Sequence, residues 1–172
     1  MILLVIDIQK GIADDDLYAF DTFKERTVAI IDKCRKKNVE VIYVQHDDGP
    51  GSGFSVGDED FEIADFVAPK EGEKIFYKTI NSCFGNKELA DYLASTGEKE
   101  LMIIGLQTNF CIDASIKSAY ERGYKVIIPE GTNSTFDNDY MTGETTYNYY
   151  NEFIWPNRFV DIVEFNEALN MI

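Results

Sequence analysis

The chemistry-bearing residues of this sequence stand just past its apolar runs. Asp7 follows Ile2–Ile6 directly, Lys78 follows Ile75-Phe76-Tyr77, and Cys111 comes a few residues after Leu101–Ile104. A carboxylate that continues a buried strand is desolvated, which raises its pKa toward that of a working general base. A lysine in the same crevice satisfies that charge and can stabilise a developing anion. Ahead of Cys111 runs Gly105-Leu106-Gln107-Thr108-Asn109-Phe110, in which Gly105 permits a sharp turn off the strand. Thr108 or Asn109 is expected as a helix N-cap. That would put Cys111 in the first helical turn, where unpaired N–H groups and the helix dipole favour a thiolate. The same N–H groups suit the oxyanion of a carbonyl under attack. Asp7, Lys78 and Cys111 then titrate as one coupled unit, with Lys78 offsetting the repulsion between carboxylate and thiolate. The thiol proton passes to Asp7 as attack proceeds.

Each of these residues also has a plainer reading. Asp7 can hydrogen-bond a neighbouring loop, Lys78 can snorkel at the surface, and Cys111 can be a small buried side chain. Cys34 falls on the apolar face of its helix and is expected in the core. Cys83 lies in the polar turn Asn81-Ser82-Cys83-Phe84-Gly85, has no evident base, and reads as incidental. His46 is the single histidine, so no conventional Cys–His pair is available.

The elements that must position these residues are an alternation of short apolar runs and longer amphipathic segments. Six runs read as strands: Ile2–Ile6, Val39–Val44, Lys74–Tyr77, Leu101–Ile104, Lys125–Ile128 and Phe159–Val163. Most are nearly continuous in apolar residues, as expected of strands covered on both faces. Helical spacing connects Phe23, Ile30, Ile31 and Cys34 within Thr22–Lys37, then Leu89, Tyr92 and Leu93 before Thr96-Gly97. A third helix carries Ile112, Ile116, Ala119 and Tyr120 up to Gly123. Such alternation predicts an α/β fold with a parallel sheet, and ligands in such sheets sit beyond the carboxyl ends of the strands. From Thr132 to Asn157 the chain is rich in Asn, Tyr and Thr. There Tyr147, Tyr150, Phe153 and Ile154 are expected on one buried helix face, with a subunit interface as the next reading.

Charge and composition exclude several functions. With 172 residues the chain is expected to form one domain, 1–172, and 45% apolar content separates it from an acidic disordered tail. A net charge of −15 and a pI near 4.3 argue against nucleic-acid binding and against anionic membrane surfaces. No apolar run is long enough for a membrane span, and three scattered cysteines form neither a disulfide framework nor a zinc box. A cytoplasmic protein acting on a small molecule is expected. The sequence holds neither a G-x-G-x-x-G nor a G-x-x-x-x-G-K-[ST] phosphate loop.

The segments Leu4-Val5-Ile6-Asp7-Ile8-Gln9, Lys78 with Ser82 and Phe84, and Gly105 to Cys111 resemble the isochorismatase-like cysteine hydrolases, a superfamily that includes the nicotinamidases. Ala119-Tyr120-Glu121-Arg122-Gly123-Tyr124-Lys125-Val126 is similar as well, so the resemblance runs from Ile2 to about Asp137. It implies a Rossmann-like three-layer α/β/α fold on a six-stranded, mainly parallel sheet, and a triad of Asp7, Lys78 and Cys111. It implies a cis peptide between Leu106 and Gln107 that aims the Gln107 N–H, beside that of Cys111, at an oxyanion. It also implies a dimer or larger homo-oligomer. The metal-binding members hold their ion through Asp and several His, which one histidine cannot supply. An all-oxygen set of Asp47, Asp48 and Asp58 is the remaining option, but acidic loops are usually only solvated, so no metal and no cofactor are expected. Isochorismate-cleaving members lack a cysteine at the nucleophile position, so Cys111 argues against vinyl-ether hydrolysis. The resemblance therefore implies hydrolysis of a small amide, imide or carbamoyl-type substrate through a thioester. Ile12, His46 and Phe54 are expected to line the pocket. Two other readings compete: a non-catalytic binding module that keeps the fold, and a redox thiol pair of Cys83 and Cys111.

Overall fold

The computed structural model describes Met1–Ile172. Its strands are β1 (Ile2–Ile6), β2 (Glu40–His46), β3 (Lys74–Lys78), β4 (Glu100–Leu106), β5 (Lys125–Pro129), β6 (Asn133–Ser134) and β7 (Asp161–Val163). All pair in parallel, in the order β3-β2-β1-β4-β5-β7, with β6 added beside the end of β4. The six expected strands are thus present. The seventh, β6, is two residues long and too short to leave an alternation in the sequence. The helices are α1 (Phe20–Lys37), α2 (Lys87–Thr96), α3 (Asp113–Glu121), α4 (Gly143–Asn148) and α5 (Phe165–Met171).

Side-chain alternation along β1 divides the core in two. Leu3 and Val5 pack with Phe23, Ile30, Ile31 and Cys34 of α1 and Ala168 of α5. Leu4 and Ile6 pack on the other face with Leu89 and Leu93 of α2 and Ile116 and Ala119 of α3. Both faces of the central strands are therefore dry, and their continuous apolar runs follow from that. The edge strand β3 differs: Ile75 and Tyr77 are exposed, because only one of its sides has a neighbouring strand. At the other edge, the expected strand from Phe159 shrinks to Asp161–Val163.

Strand order reverses between β1 and β4, so their carboxyl ends open the crevice where such sheets hold ligands. The closest approach there is at Gly105, which pairs with Ile6 and sits at φ +132°. A Cβ on Gly105 would run into the Ile6 carbonyl. Beyond it the Leu106–Gln107 peptide is cis, as the resemblance implied.

Two helical expectations need correction. Neither Thr108 nor Asn109 is an N-cap: Thr108–Ile112 is a π-helical turn that starts after Gln107 and has no side-chain cap. Both side chains instead serve β6 and the segment after it. Thr108 Oγ1 donates to Asn133 Oδ1 at 2.7 Å, and Thr135 Oγ1 donates to Asn109 Oδ1 at 2.7 Å. Likewise α4 continues as a π-helical stretch, Tyr149–Ile154, whose wider turn rotates Phe153 to the surface while Tyr147, Tyr150 and Ile154 stay half-buried. No helix is long and apolar enough to cross a membrane.

Candidate active site

The carboxyl ends of β1, β3 and β4 bring Asp7, Lys78 and Cys111 together. Lys78 Nζ lies 2.7 Å from Asp7 Oδ2 and 3.2 Å from Cys111 Sγ. The register does the placing, since Lys78 pairs with His46 across β2 and β3, and Ile6 pairs with Gly105 across β1 and β4. Asp7 turns off β1 at φ 52°, a left-handed conformation that aspartate tolerates better than most non-glycine residues. Its N–H is held by the Val44 carbonyl at 2.8 Å.

The three groups are desolvated together. The Lys78 and Asp7 side chains are 0% and 1% exposed, so their pairing has no help from water. Neither Asp7 oxygen has a well-aligned hydrogen bond, although Oδ2 is in ion-pair contact. Burial pushes the Asp7 carboxyl above the ordinary carboxylate range, against the pull of Lys78. Burial and then the Asp7 carboxylate push the Cys111 thiol up to about 12, with Lys78 opposing. The expectation of a helix terminus that favours a standing thiolate is thus outweighed. The Cys111 thiol and the buried Asp7 carboxyl group thus both lie in contact with the Lys78 ammonium.

These side chains open into a cleft of about 290 Å³. Ile12, His46, Phe54, Gln107 and Phe110 line it. Asn81 also reaches it, with Oδ1 3.9 Å from Cys111 Sγ. The other thiols stand apart. Cys34 is buried and pushed up to about 12 by that burial. Cys83, expected in a polar turn, is fully buried in the core, and its N–H donates to Ser115 Oγ at 3.0 Å. Burial pushes its thiol up to about 11.

Asp7, His46 and Cys111 offer oxygen, nitrogen and sulfur donors within 4.8 Å of one another. The Lys78 ammonium already stands among them, in contact with all three, where a metal ion would have to sit. In the acidic set one oxygen of each carboxylate has a partner within the chain. Asp47 accepts from the Gly49 N–H, Asp58 from the Ser55 N–H, and Asp48 faces the His46 ring.

Sequence reasoning passed over the residues that hold this site from behind. The Gln9 amide donates to the His46 carbonyl at 3.0 Å and accepts from the His46 N–H at 2.8 Å, clamping β2 to the end of β1. Its signal was its place two residues after Asp7, just past the first apolar run. Asn133 and Asn151 bond each other in both directions and tie the Thr108 turn to the α4 extension. No sequence signal marks that pair.

The isochorismatase domain family matches residues 1–149. The chain is 26% identical, over 75% of its length and 70% of the relative's, to the secreted isochorismatase effector Isc1 of Verticillium dahliae. It is 26% identical, over 89% of its length and 84% of the relative's, to the ureidoacrylate amidohydrolase RutB of Agrobacterium fabrum. A crystal structure of an isochorismatase family protein superposes with a TM-score of 0.86 at 28% identity, covering 94% of this chain and 96% of that one.

Proposed function

The chain belongs to the isochorismatase family, and from that premise we propose that it is a cysteine hydrolase of small amide, imide or carbamoyl-type C–N bonds. The observation that carries this reading is the buried Asp7 carboxylate on the cleft, ion-paired through Oδ2 to the Lys78 ammonium, which also touches the Cys111 thiol. In the first half-reaction Cys111 Sγ attacks the carbonyl carbon and its proton passes to Asp7. The carbonyl oxygen becomes an oxyanion, received by the N–H groups of Gln107 and Cys111. Its collapse breaks the C–N bond, and the departing amine takes the proton from Asp7, leaving a thioester. Water then gives a proton to Asp7 as it attacks the thioester, the C–S bond breaks, and that proton returns to sulfur. Lys78 keeps its charge throughout and offsets the negative charge that moves between Asp7 and Sγ.

A cleft of about 290 Å³ supports a small substrate. The place of Lys78 among the donors supports working without a metal. Three unbridged thiols support a reducing, cytoplasmic setting, and the exposed aromatics, of which Phe110 lines the cleft, support a homo-oligomer. The test is a screen of small amides, imides and carbamoyl compounds with Cys111→Ala as the control. Turnover is expected to vanish in that variant while its circular dichroism is unchanged, and acid-quenched wild type should carry an acyl mass on the Cys111 peptide. Near-normal turnover by Cys111→Ala would sink the mechanism.

A further inference from the structure

The reaction above leaves the only histidine without a role, although it lies against the reacting groups. His46 Nδ1 is 2.9 Å from Lys78 Nζ, and its Nε2 is 3.0 Å from Asp48 Oδ1. We propose that His46, fixed by Asp48 in the tautomer with its hydrogen on Nε2, is a positioning residue that holds the Lys78 ammonium between Asp7 and Cys111. The inference rests on reading Asp7, Lys78 and Cys111 as the reacting set.

The tautomer follows from donor and acceptor chemistry. An ammonium has three hydrogens to donate and no lone pair, so a ring nitrogen in contact with it must be the unprotonated one. The ring hydrogen of the neutral imidazole then sits on Nε2, where the Asp48 carboxylate accepts it. Lys78 has no exposed surface, so its three hydrogens must find partners within the protein. Asp7 Oδ2, Cys111 Sγ and His46 Nδ1 are those partners. Asp7 lies at the end of β1, Cys111 beyond β4 and His46 at the end of β2, so the ammonium is held from three directions. The backbone of His46 is itself clamped on both sides by Gln9.

Without the third acceptor, Nζ is drawn toward the second Asp7 oxygen, which has no partner, and away from sulfur. The carboxylate keeps its cation, and the thiol loses one. His46→Leu should therefore make Cys111 a poorer nucleophile, whereas His46→Asn, whose side-chain oxygen can stand near the Nδ1 position, should restore it.

Two measurements test this, and neither needs a substrate. Labelling the single histidine with ¹⁵N gives one ring to observe, and the neutral wild-type ring is expected to carry its hydrogen on Nε2. Asp48→Ala should produce a mixture of tautomers. A wild-type ring protonated mainly on Nδ1 overturns the proposal. The second measurement is the rate at which iodoacetamide alkylates Cys111 at pH 9, resolved by peptide mass spectrometry. His46→Leu should be about tenfold slower than wild type, the effect of removing one neighbouring cation, and His46→Asn should recover most of the rate. Equal rates in all three proteins, with melting curves showing each folded, would show that His46 does not hold Lys78. Those outcomes are separate from the hydrolase reading, which stands or falls on turnover by Cys111→Ala.

Discussion

At Asp7 two effects of one carboxylate can be separated. In the proposed reaction it is the proton acceptor for Cys111, and it is also, after burial, the main reason the Cys111 thiol is pushed up to about 12. Asp7→Asn should therefore lower turnover by about 10²–10⁴, the usual contribution of a positioned base. The same substitution should speed iodoacetamide alkylation of Cys111 at pH 8 by about tenfold, because Lys78 then faces the thiol without a competing anion. Loss of both turnover and alkylation would instead mean that Asp7 supports sulfur structurally. The raised Asp7 carboxyl also sets a pH dependence. As pH falls, the base is lost above the ordinary carboxylate range, so the acid limb of kcat/KM lies at higher pH than an unperturbed aspartate would give. Across that window the native state keeps a proton the unfolded chain has released, so this group makes the fold less stable as pH rises. Comparing urea midpoints of wild type and Asp7→Asn across the acid range checks the sign. The residue types and strand-end positions of Asp7 and Lys78 were legible in the sequence because each directly follows an apolar run, and Cys111 was legible because it stands a few residues past one. The direction of the Cys111 shift was not, since it depends on how little water reaches sulfur and how close the carboxylate comes.

At the scale of elements, the site is an outcome of how tightly β1 and β4 approach. Gly105 has both a positive φ and the Ile6 carbonyl where a side chain would begin, and backbone is what would have to move. Gly105→Ala should cost more than about 3 kcal/mol, read as a lowered urea midpoint, with loss of activity in whatever fraction folds. Full stability in that variant would show that the strands can part at no cost. The larger elements were readable because apolar runs of four or more residues and helical spacing leave a pattern. Thr108 and Asn109 misled for a definable reason. Both are good capping types in the right place, but buried acceptors and donors on the β6 side compete for their side chains. Phe153 misled because helical periodicity assumes an α-helix, and a π-helical stretch breaks the register. The short helix α5 follows Glu164, whose carboxylate accepts from the Asn166 and Glu167 N–H groups, a cap overlooked at the end of the chain.

For the whole molecule, two features pull against each other. Phe110, Tyr140, Tyr149 and Phe153 are 51%, 94%, 44% and 72% exposed, and Tyr149 and Phe153 pack with ring centroids 5.5 Å apart. Phe110 also lines the cleft that holds Asp7 and Cys111, so a second copy of the chain seated on that ring would border it. Aromatic rings in such number are favourable at interfaces, where they bury a large area with few rotatable bonds. Against this stands a net charge of −15 on each copy, which repels a second one. Salt screens that repulsion, with a Debye length of about 10 Å at 0.1 M falling to about 3 Å at 1 M, but leaves apolar burial in place. Association should therefore strengthen as salt is raised, the reverse of an assembly held by opposite charges. Light scattering on a size-exclusion column should show a mass that is a multiple of 19.6 kDa, more fully populated at high salt. Phe153→Asp puts a like charge into the patch without touching the core, and should return the mass to that of one chain. If assembly instead weakens with salt and ignores Phe153→Asp, the contact lies elsewhere and is made by charged groups. If turnover falls together with the mass in Phe153→Asp, the neighbouring copy is part of the working cleft.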